Sequence, residues 1–452
     1  MTKRRDLLAD AATRAAEYLE SLDERAVFPP PKPVETLRSF LEAALPEGPT
    51  APETVLAQLD EIAGPATVAS AGGRYFGFVT GGALPAAVAA NWLATAWDQN
   101  SFNNVSSPAI ALLEDSALRW VKQALDLSPT AEGTLVTGAT MANFTCLAAA
   151  RQRVLADAGW DADEKGLFGA PPIDVIVGDE VHATIFKVLS MLGLGRDRVI
   201  RVPVDDQGRM RADVLPPIDK PAIVCIQAGN VNSGAFDPAA EIIAHAHKAG
   251  AWVHVDGAFG LWARASKTLA PLAAGLEAAD SWATDAHKWL NVPYDCGVAL
   301  VREPDNLRRA MSISGAYLLA SGQRDQIDYS PDSSRRARAV DVWAALKSLG
   351  RSGLAEMIDR NCRQAGQLAE SLRRANIEIL NDVVLNQVVV AFGDADRTNR
   401  VIEAVQIDGT CWAGATVWRN RTAMRISVSG WATTDADIER SLEAILKAHR
   451  EA

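Results

Sequence analysis

The chain has 452 residues, of which 48% are apolar and 22% charged, a balance that excludes disordered, collagenous and coiled-coil architectures. Its length exceeds what one core usually holds, so two or three folding units are expected. Asp and Glu number 56 against 45 Lys and Arg, which argues against sequence-independent binding to nucleic acid or anionic lipid and for a small-molecule partner.

Five scattered cysteines (Cys146, Cys225, Cys296, Cys362 and Cys411) form no CxxC pair. They suggest neither a disulfide framework nor a zinc site, and the compartment reads as reducing. Charges run through the N-terminal stretch where a signal peptide needs an unbroken apolar core. The most apolar stretch, residues 84–97, is interrupted by Asn91 and is shorter than the ~20 residues that span a bilayer. A cytoplasmic location without membrane contact is expected.

Residues 4–22 place Leu7, Leu8, Ala11, Ala15, Tyr18 and Leu19 at helical spacing, and the PPPKP run then breaks the pattern. Residues 1–70 therefore read as a helical arm. The glycine-rich AGGRYFGFVTGGALP at 71–85 reads as a loop. After it, the β-rich runs TLVTG, IDVIVG, RVIRVPV, AIVCIQAG, AWVHVDGA, SWATDA and CGVALV are separated mostly by helical runs. Such alternation predicts an α/β unit over 71–311, with a mostly parallel sheet flanked by helices. Residues 312–338 fit neither period and are long enough to be a mobile active-site loop. A long helix from Val340, three short strands, a helix near 399–408 and a last helix at 435–450 make a smaller α+β C-terminal domain, 339–452.

In DSWATDAHKWLNVPYDCGVALV, Lys288 follows a short strand. At the C-terminal end of a strand in such a sheet, side chains face the ligand crevice, and a lysine there can become a nucleophilic amine able to form a Schiff base. Elsewhere a lysine is simply a surface residue. Upstream, WVHVDGAFG ends a strand at Asp256, with His254 on the same face by alternation. A buried aspartate needs a cation, which a pyridinium nitrogen supplies; alone, Asp256 reads equally as a turn cap. In TLVTGATMANFTC, the backbone of Gly138, Ala139 and Thr140 opens a helix where an anion such as phosphate would bind. His182 stands at another helix start, as a capping residue or stacked on a flat ring.

Together these residues resemble the pyridoxal-phosphate-dependent group II amino-acid decarboxylases, which include the aromatic-L-amino-acid decarboxylases and share the aspartate-aminotransferase fold (type I). The likeness runs from about Gly72 to the last helix. It implies pyridoxal 5'-phosphate as cofactor, Lys288 as the Schiff-base lysine, Asp256 as the partner of the ring nitrogen and His182 as the stacking histidine. It further implies phosphate-side contacts from Ala139, Thr140, Asp285 and His287, with Asn230 beside the cofactor helping to hold Asp256. The expected reaction turns an L-amino acid into an amine and carbon dioxide in a homodimer with shared active sites.

The family's proton-donating tyrosine lies on a mobile loop. Tyr329 is the candidate and Tyr317 its rival, because Tyr329 stands nearer to Arg335 and Arg336 than in the aromatic enzymes. Phe78, Val79, Thr80 and Phe102 match substrate-pocket positions. Gly77 replaces a tyrosine of the aromatic enzymes, which enlarges or reshapes the pocket. Asn103 and Asn104 either bind a polar substrate side chain or hold their loop.

Other chemistries have less support. His245, His247, His254 and Asp256 suggest a metal site, but two histidines two apart on a helix diverge, and no metal is expected. No GxGxxG after a strand, GxxxxGK[ST], HExxH or GxSxG occurs. The RRAR run at 335–338 reads as a solvated helix start, one arginine of which binds an anion across the dimer. Trp97, Trp120 and Trp343 read as core or interface; Trp412 and Trp418 have no assigned place. The alternatives are another reaction of the same cofactor (transamination, retro-aldol cleavage or oxidative deamination) and a catalytically silent binding protein on this fold. The role of Arg425 stays open.

Overall fold

A computed structural model describes residues 3–312 and 322–452. Main-chain contacts gather the chain into two compact units, Ala83–Arg363 with Asn381–Gln387, and Met1–Gly82 with Gln364–Leu380 and Val388–Ala452.

The first unit is built on seven strands: β1 (Glu132–Val136), β2 (Asp174–Gly178), β3 (Ile200–Val202), β4 (Ala222–Gln227), β5 (Trp252–Asp256), β6 (Ser281–Asp285) and β7 (Gly297–Val301). Their order is β1-β7-β6-β5-β4-β2-β3. Neighbours from β3 to β6 pair in parallel, while β7 is antiparallel to both β6 and β1. Every residue of β4, β5, β6 and β7 is buried, as expected of a sheet covered on both faces. The helix Ala139–Asp157 packs Ala142, Cys146, Ala149 and Ala150 into the main core with Val136, Val175 and Ile223. Since β1 runs in the same sense as β6, the C-terminal ends of β1, β2, β4, β5 and β6 open on one edge.

The second unit holds β8 (Glu378–Ile379), β9 (Gln387–Ala391), β10 (Gly414–Trp418) and β11 (Arg421–Ser427), in the order β10-β11-β9-β8. Its last helix, Asp435–Glu451, starts in a Thr434–Asp437 capping box. The N-terminal segment belongs to this unit: Val27 N–H donates to Gly409 O at 2.8 Å, and Phe76 N–H to Trp412 O at 2.8 Å. The contacts thus divide the chain after Gly82 and at Gln364, with Asn381–Gln387 returning to the first unit.

Two local expectations change. The PPPKP run opens a helix, Pro31–Leu41, because proline at the first helical position lacks only an N–H that has no intrahelical partner anyway. The long helix Arg338–Arg374 is broken at Gly350, whose φ of 61° is left-handed. Among the described residues no helix is long and apolar enough to cross a membrane.

Candidate active site

The ends of β1 and β6 meet through Asp285, the last residue of β6 and 2% exposed. One of its oxygens accepts the Ala139 N–H at 2.6 Å, and the other lies 3.0 Å from Lys288 Nζ. His287 Nε2 stands 3.5 Å from the first oxygen, and its Nδ1 accepts the Cys296 N–H at 3.0 Å. Burial pushes the His287 pKa below its ordinary value, so the ring is neutral, with its proton on Nε2 toward Asp285. Glycine at 138 eases this crowding: a Cβ there would make a tight contact, 3.1 Å from His287 Cε1. Thr140 follows in the first turn of the helix that Gly138 caps.

On the adjacent strand β5, Asp256 is buried. Its Oδ2 accepts from Asn143 Nδ2 at 3.2 Å and its Oδ1 from the Ala258 N–H at 3.3 Å, and among the described residues no cation pairs with it. His254 shares that face, as alternation predicts, with Nε2 2.8 Å from Asn143 Oδ1 and Nδ1 2.9 Å from Ser281 Oγ. Burial lowers the His254 pKa to about 3.

After β4, Asn230 Oδ1 accepts the N–H groups of Asn232 and Ser233, so this side chain braces its own turn and not Asp256. Its Nδ2 is buried without a partner. After β2, His182 caps the helix Ala183–Met191, with Nδ1 2.7 Å from Thr184 Oγ1. Read across the sheet, the strand ends present Ala139 and Thr140, then Lys288, Asp256, Asn230 and His182.

This set fits pyridoxal phosphate. It contains an amine, helix N-terminal amides for a phosphate, an orphaned amide donor at Asn230 and a buried carboxylate that lacks a cation.

Tyr329 stands elsewhere. It is 9% exposed within the main core, beneath the Arg324 guanidinium at 4.3 Å. Arg324 pairs with Glu132 at 2.9 Å, and Glu132 is the first residue of β1, at the opposite end of that strand from Ala139. Tyr329 is therefore a packing residue in this chain and not part of an exposed loop. Tyr317 lies outside the described residues.

Of the pocket positions, Phe102 belongs to the first unit, whereas Phe78, Val79 and Thr80 belong to the second. Phe78 and Val79 adopt left-handed φ of 54° and 60°, a strained pair for a bulky and a β-branched residue. The space beside Gly77 is occupied: an ideal Cβ there would stand 2.2 Å from Trp412 Cζ3, and the Trp412 ring stacks on Tyr75 and Phe78. A ring from elsewhere in the chain thus fills this space, which gives Trp412 its place. Asn103 Oδ1 accepts the Ser106 N–H, and Asn104 Nδ2 reaches Asp325, so both asparagines hold their loop.

Arg335 is not solvated. It is buried and bidentate with Glu114 at 3.0 and 2.9 Å. Trp120 and Trp343 stack at 5.8 Å, and Trp418 is buried against Val389 and Ala423. Among the described residues no three His, Cys, Asp or Glu side chains are grouped to hold a metal ion.

Asn143 escaped sequence reasoning. Its one signal is an amide in the stripe of small residues (Ala139, Ala142, Cys146, Ala150) that faces the core at helical spacing.

Residues 33–392 match the family model described as pyridoxal-dependent decarboxylase conserved domain. An aromatic-L-amino-acid decarboxylase of Bacillus atrophaeus is 27% identical, over 75% of this chain and 72% of its own. An L-2,4-diaminobutyrate decarboxylase of Rhizobium meliloti (strain 1021) is 28% identical, over 82% and 76%. The crystal structure of Oryza sativa TDC with PLP and tryptamine shares the fold, with a TM-score of 0.92 over 99% of this chain and 97% of that one, at 23% identity.

Proposed function

The chain belongs to the pyridoxal-dependent decarboxylase family, and on that premise we propose that it converts an L-amino acid to an amine and carbon dioxide, with pyridoxal phosphate held on Lys288 as a Schiff base. The observation that carries this reading is Asp256, a buried carboxylate without a cation on the strand next to the one that leads to Lys288. A protonated ring nitrogen supplies that cation. When bound, the cofactor is an electron sink for the pair left on the α-carbon as carbon dioxide departs.

The chain's own residues do the rest. Asp256 holds the proton on the ring nitrogen. The amides of Ala139 and Thr140 take the phosphate at the helix N-terminus, with Asp285 and His287 beside it. Asn230 Nδ2 donates to a cofactor oxygen, and His182 covers the ring. Asp285 receives the Lys288 ammonium whenever the substrate amine has displaced it. With Tyr329 packed in the core, the proton for the α-carbon is assigned to Tyr317. Phe102 is assigned to the substrate side chain, and the aromatic, diamino and acidic substrates named for the relatives are the candidates.

A second copy of the chain completes the enzyme. The helix Pro85–Trp97 buries only Ala87 and leaves Trp92, Leu93 and Trp97 44%, 54% and 48% exposed, an apolar face that needs a cover. Beside it lies a cavity of about 610 Å³. Arg338 Nη1 and Asp341 Oδ1, on two of its lining residues, have no partner. All five cysteines are free, which suits the reducing cytoplasm.

The test is a screen of amino acids against the holoenzyme and Lys288→Ala, following amine, carbon dioxide, keto acid and aldehyde. Amine and carbon dioxide in equal amounts, lost in Lys288→Ala, are expected. Keto acid or aldehyde as the main product moves the reading to transamination or oxidative deamination, and no turnover of any amino acid moves it to a binding protein.

A further inference from the structure

We propose that Trp252, Ser281, His254 and Asn143 form a one-way chain of hydrogen bonds that fixes the orientation of Asp256, which makes His254 and Asn143 positioning residues for the cofactor's ring nitrogen; this rests on the reading of Asp256 given above. Trp252 Nε1 lies 2.9 Å from Ser281 Oγ, and an indole N–H only donates. Ser281 therefore accepts there, and because the carboxylate end requires His254 Nε2 to donate to Asn143 Oδ1, the neutral ring leaves Nδ1, 2.9 Å away, to accept the Ser281 hydrogen. With Nδ1 accepting, the His254 proton sits on Nε2 and is donated to Asn143 Oδ1 at 2.8 Å. Asn143 then has only its amide hydrogens to offer Asp256 Oδ2, at 3.2 Å.

Taken singly, each middle member has a choice: a hydroxyl rotates, an imidazole has two tautomers and an amide two orientations. The carboxylate end removes the choice, since it cannot donate and a neutral ring carries only one hydrogen. Ser281, His254 and Asn143 are fully buried, so no water can substitute for a broken link. The chain runs in one direction only while His254 is neutral; a second ring proton would point at Ser281 and oppose it. Burial keeps the ring neutral.

The result is a carboxylate that receives one donor on each oxygen, Asn143 on Oδ2 and the Ala258 N–H on Oδ1. Both bonds favour the anion.

The experiment compares binding of pyridoxal phosphate with binding of its 1-deaza analogue, in which the ring nitrogen is replaced by C–H. The full-length chain, Asp256→Asn, Asn143→Leu and Ser281→Ala are each titrated by absorbance and fluorescence. Wild type is expected to prefer the nitrogen-containing ring, and Asp256→Asn to abolish that preference. Asn143→Leu should weaken pyridoxal phosphate by at least about tenfold and the deaza analogue by less than about twofold. Ser281→Ala, which removes one hydroxyl and keeps the fold if Asn143→Leu does not, should show a smaller loss confined to pyridoxal phosphate. Equal losses for both cofactors, or no loss, would make these residues merely structural and overturn the proposal. If wild type and Asp256→Asn do not differ in their preference, the reading of Asp256 itself fails.

Discussion

Asp285 grips Lys288 and the Ala139 amide at once, Nζ at 3.0 Å and N–H at 2.6 Å. One carboxylate thus occupies both the amine that the cofactor's aldehyde must meet and the amide that its phosphate must reach. Imine formation needs the lysine nitrogen free to attack, and here it is held against a carboxylate. A phosphate arriving at Ala139 also meets a like charge. Asp285→Asn is therefore expected to take up pyridoxal phosphate faster at pH 7, by about tenfold, the worth of releasing one charge-assisted hydrogen bond of about 1.5 kcal/mol. Growth of the visible absorption after mixing cofactor with apoprotein measures this. Uptake slower than wild type would assign the carboxylate a helping role instead.

Gly77 and Trp412 should be coupled. A side chain at 77 meets Trp412 ring atoms at 2.2 and 2.7 Å, closer than a packed interior tolerates. Gly77→Ala is expected to destabilise by about 1–3 kcal/mol, the usual range for overpacking. The cost should shrink to under about 1 kcal/mol in a Trp412→Gly background, as a double-mutant cycle in urea would show. Gly77→Tyr should be tolerated only with Trp412→Gly, where the new ring has room. Its substrate profile should then move toward aromatic amino acids.

Two tyrosines divide cleanly. Tyr329 is a core residue whose pKa burial raises, so Tyr329→Phe removes one hydroxyl beneath Arg324 and should leave the amine-to-aldehyde product ratio unchanged. Tyr317→Phe should lower amine formation by at least about a hundredfold, within the range for a lost general acid, with cofactor binding intact. Product analysis of both variants against wild type decides; lost amine in Tyr329→Phe alone would return the donor role to it.

Much of the site was legible because strand ends can be read by alternation. Lys288 and Asp256 each follow a β-branched or small-residue run, and parallel strands put such positions on one edge. Three features were hidden, each for a physical reason. Arg335 sits in a basic run that looks solvated, yet its partner Glu114 comes from the distant helix Pro108–Ala124, and only the fold makes the pair buried. Gly77 read as an emptied pocket wall because nothing local shows that Trp412 fills the space. Asn143 is one polar residue on an apolar helix face, and spacing cannot say that this face meets a carboxylate.

His254 also makes a claim about acid stability. Its pKa is about 3 in the fold against 6.5 when free. At pH 7 both the folded and unfolded forms are neutral, and His254 adds no pH dependence. As pH falls below 6.5 the unfolded chain binds a proton that the native chain refuses, so stability is lost progressively until the pH approaches 3. At pH 5 the loss amounts to about 2 kcal/mol, from roughly 1.5 pH units at about 1.36 kcal/mol each. His254→Gln has no such proton to bind. Whichever protein is the more stable at pH 7, the difference between them should therefore shift by about 2 kcal/mol in the variant's favour at pH 5, measured by urea unfolding of the apoproteins. An unchanged difference would mean that the imidazole is already charged inside the fold, and a charged imidazole would reverse the hydrogen bond to Ser281.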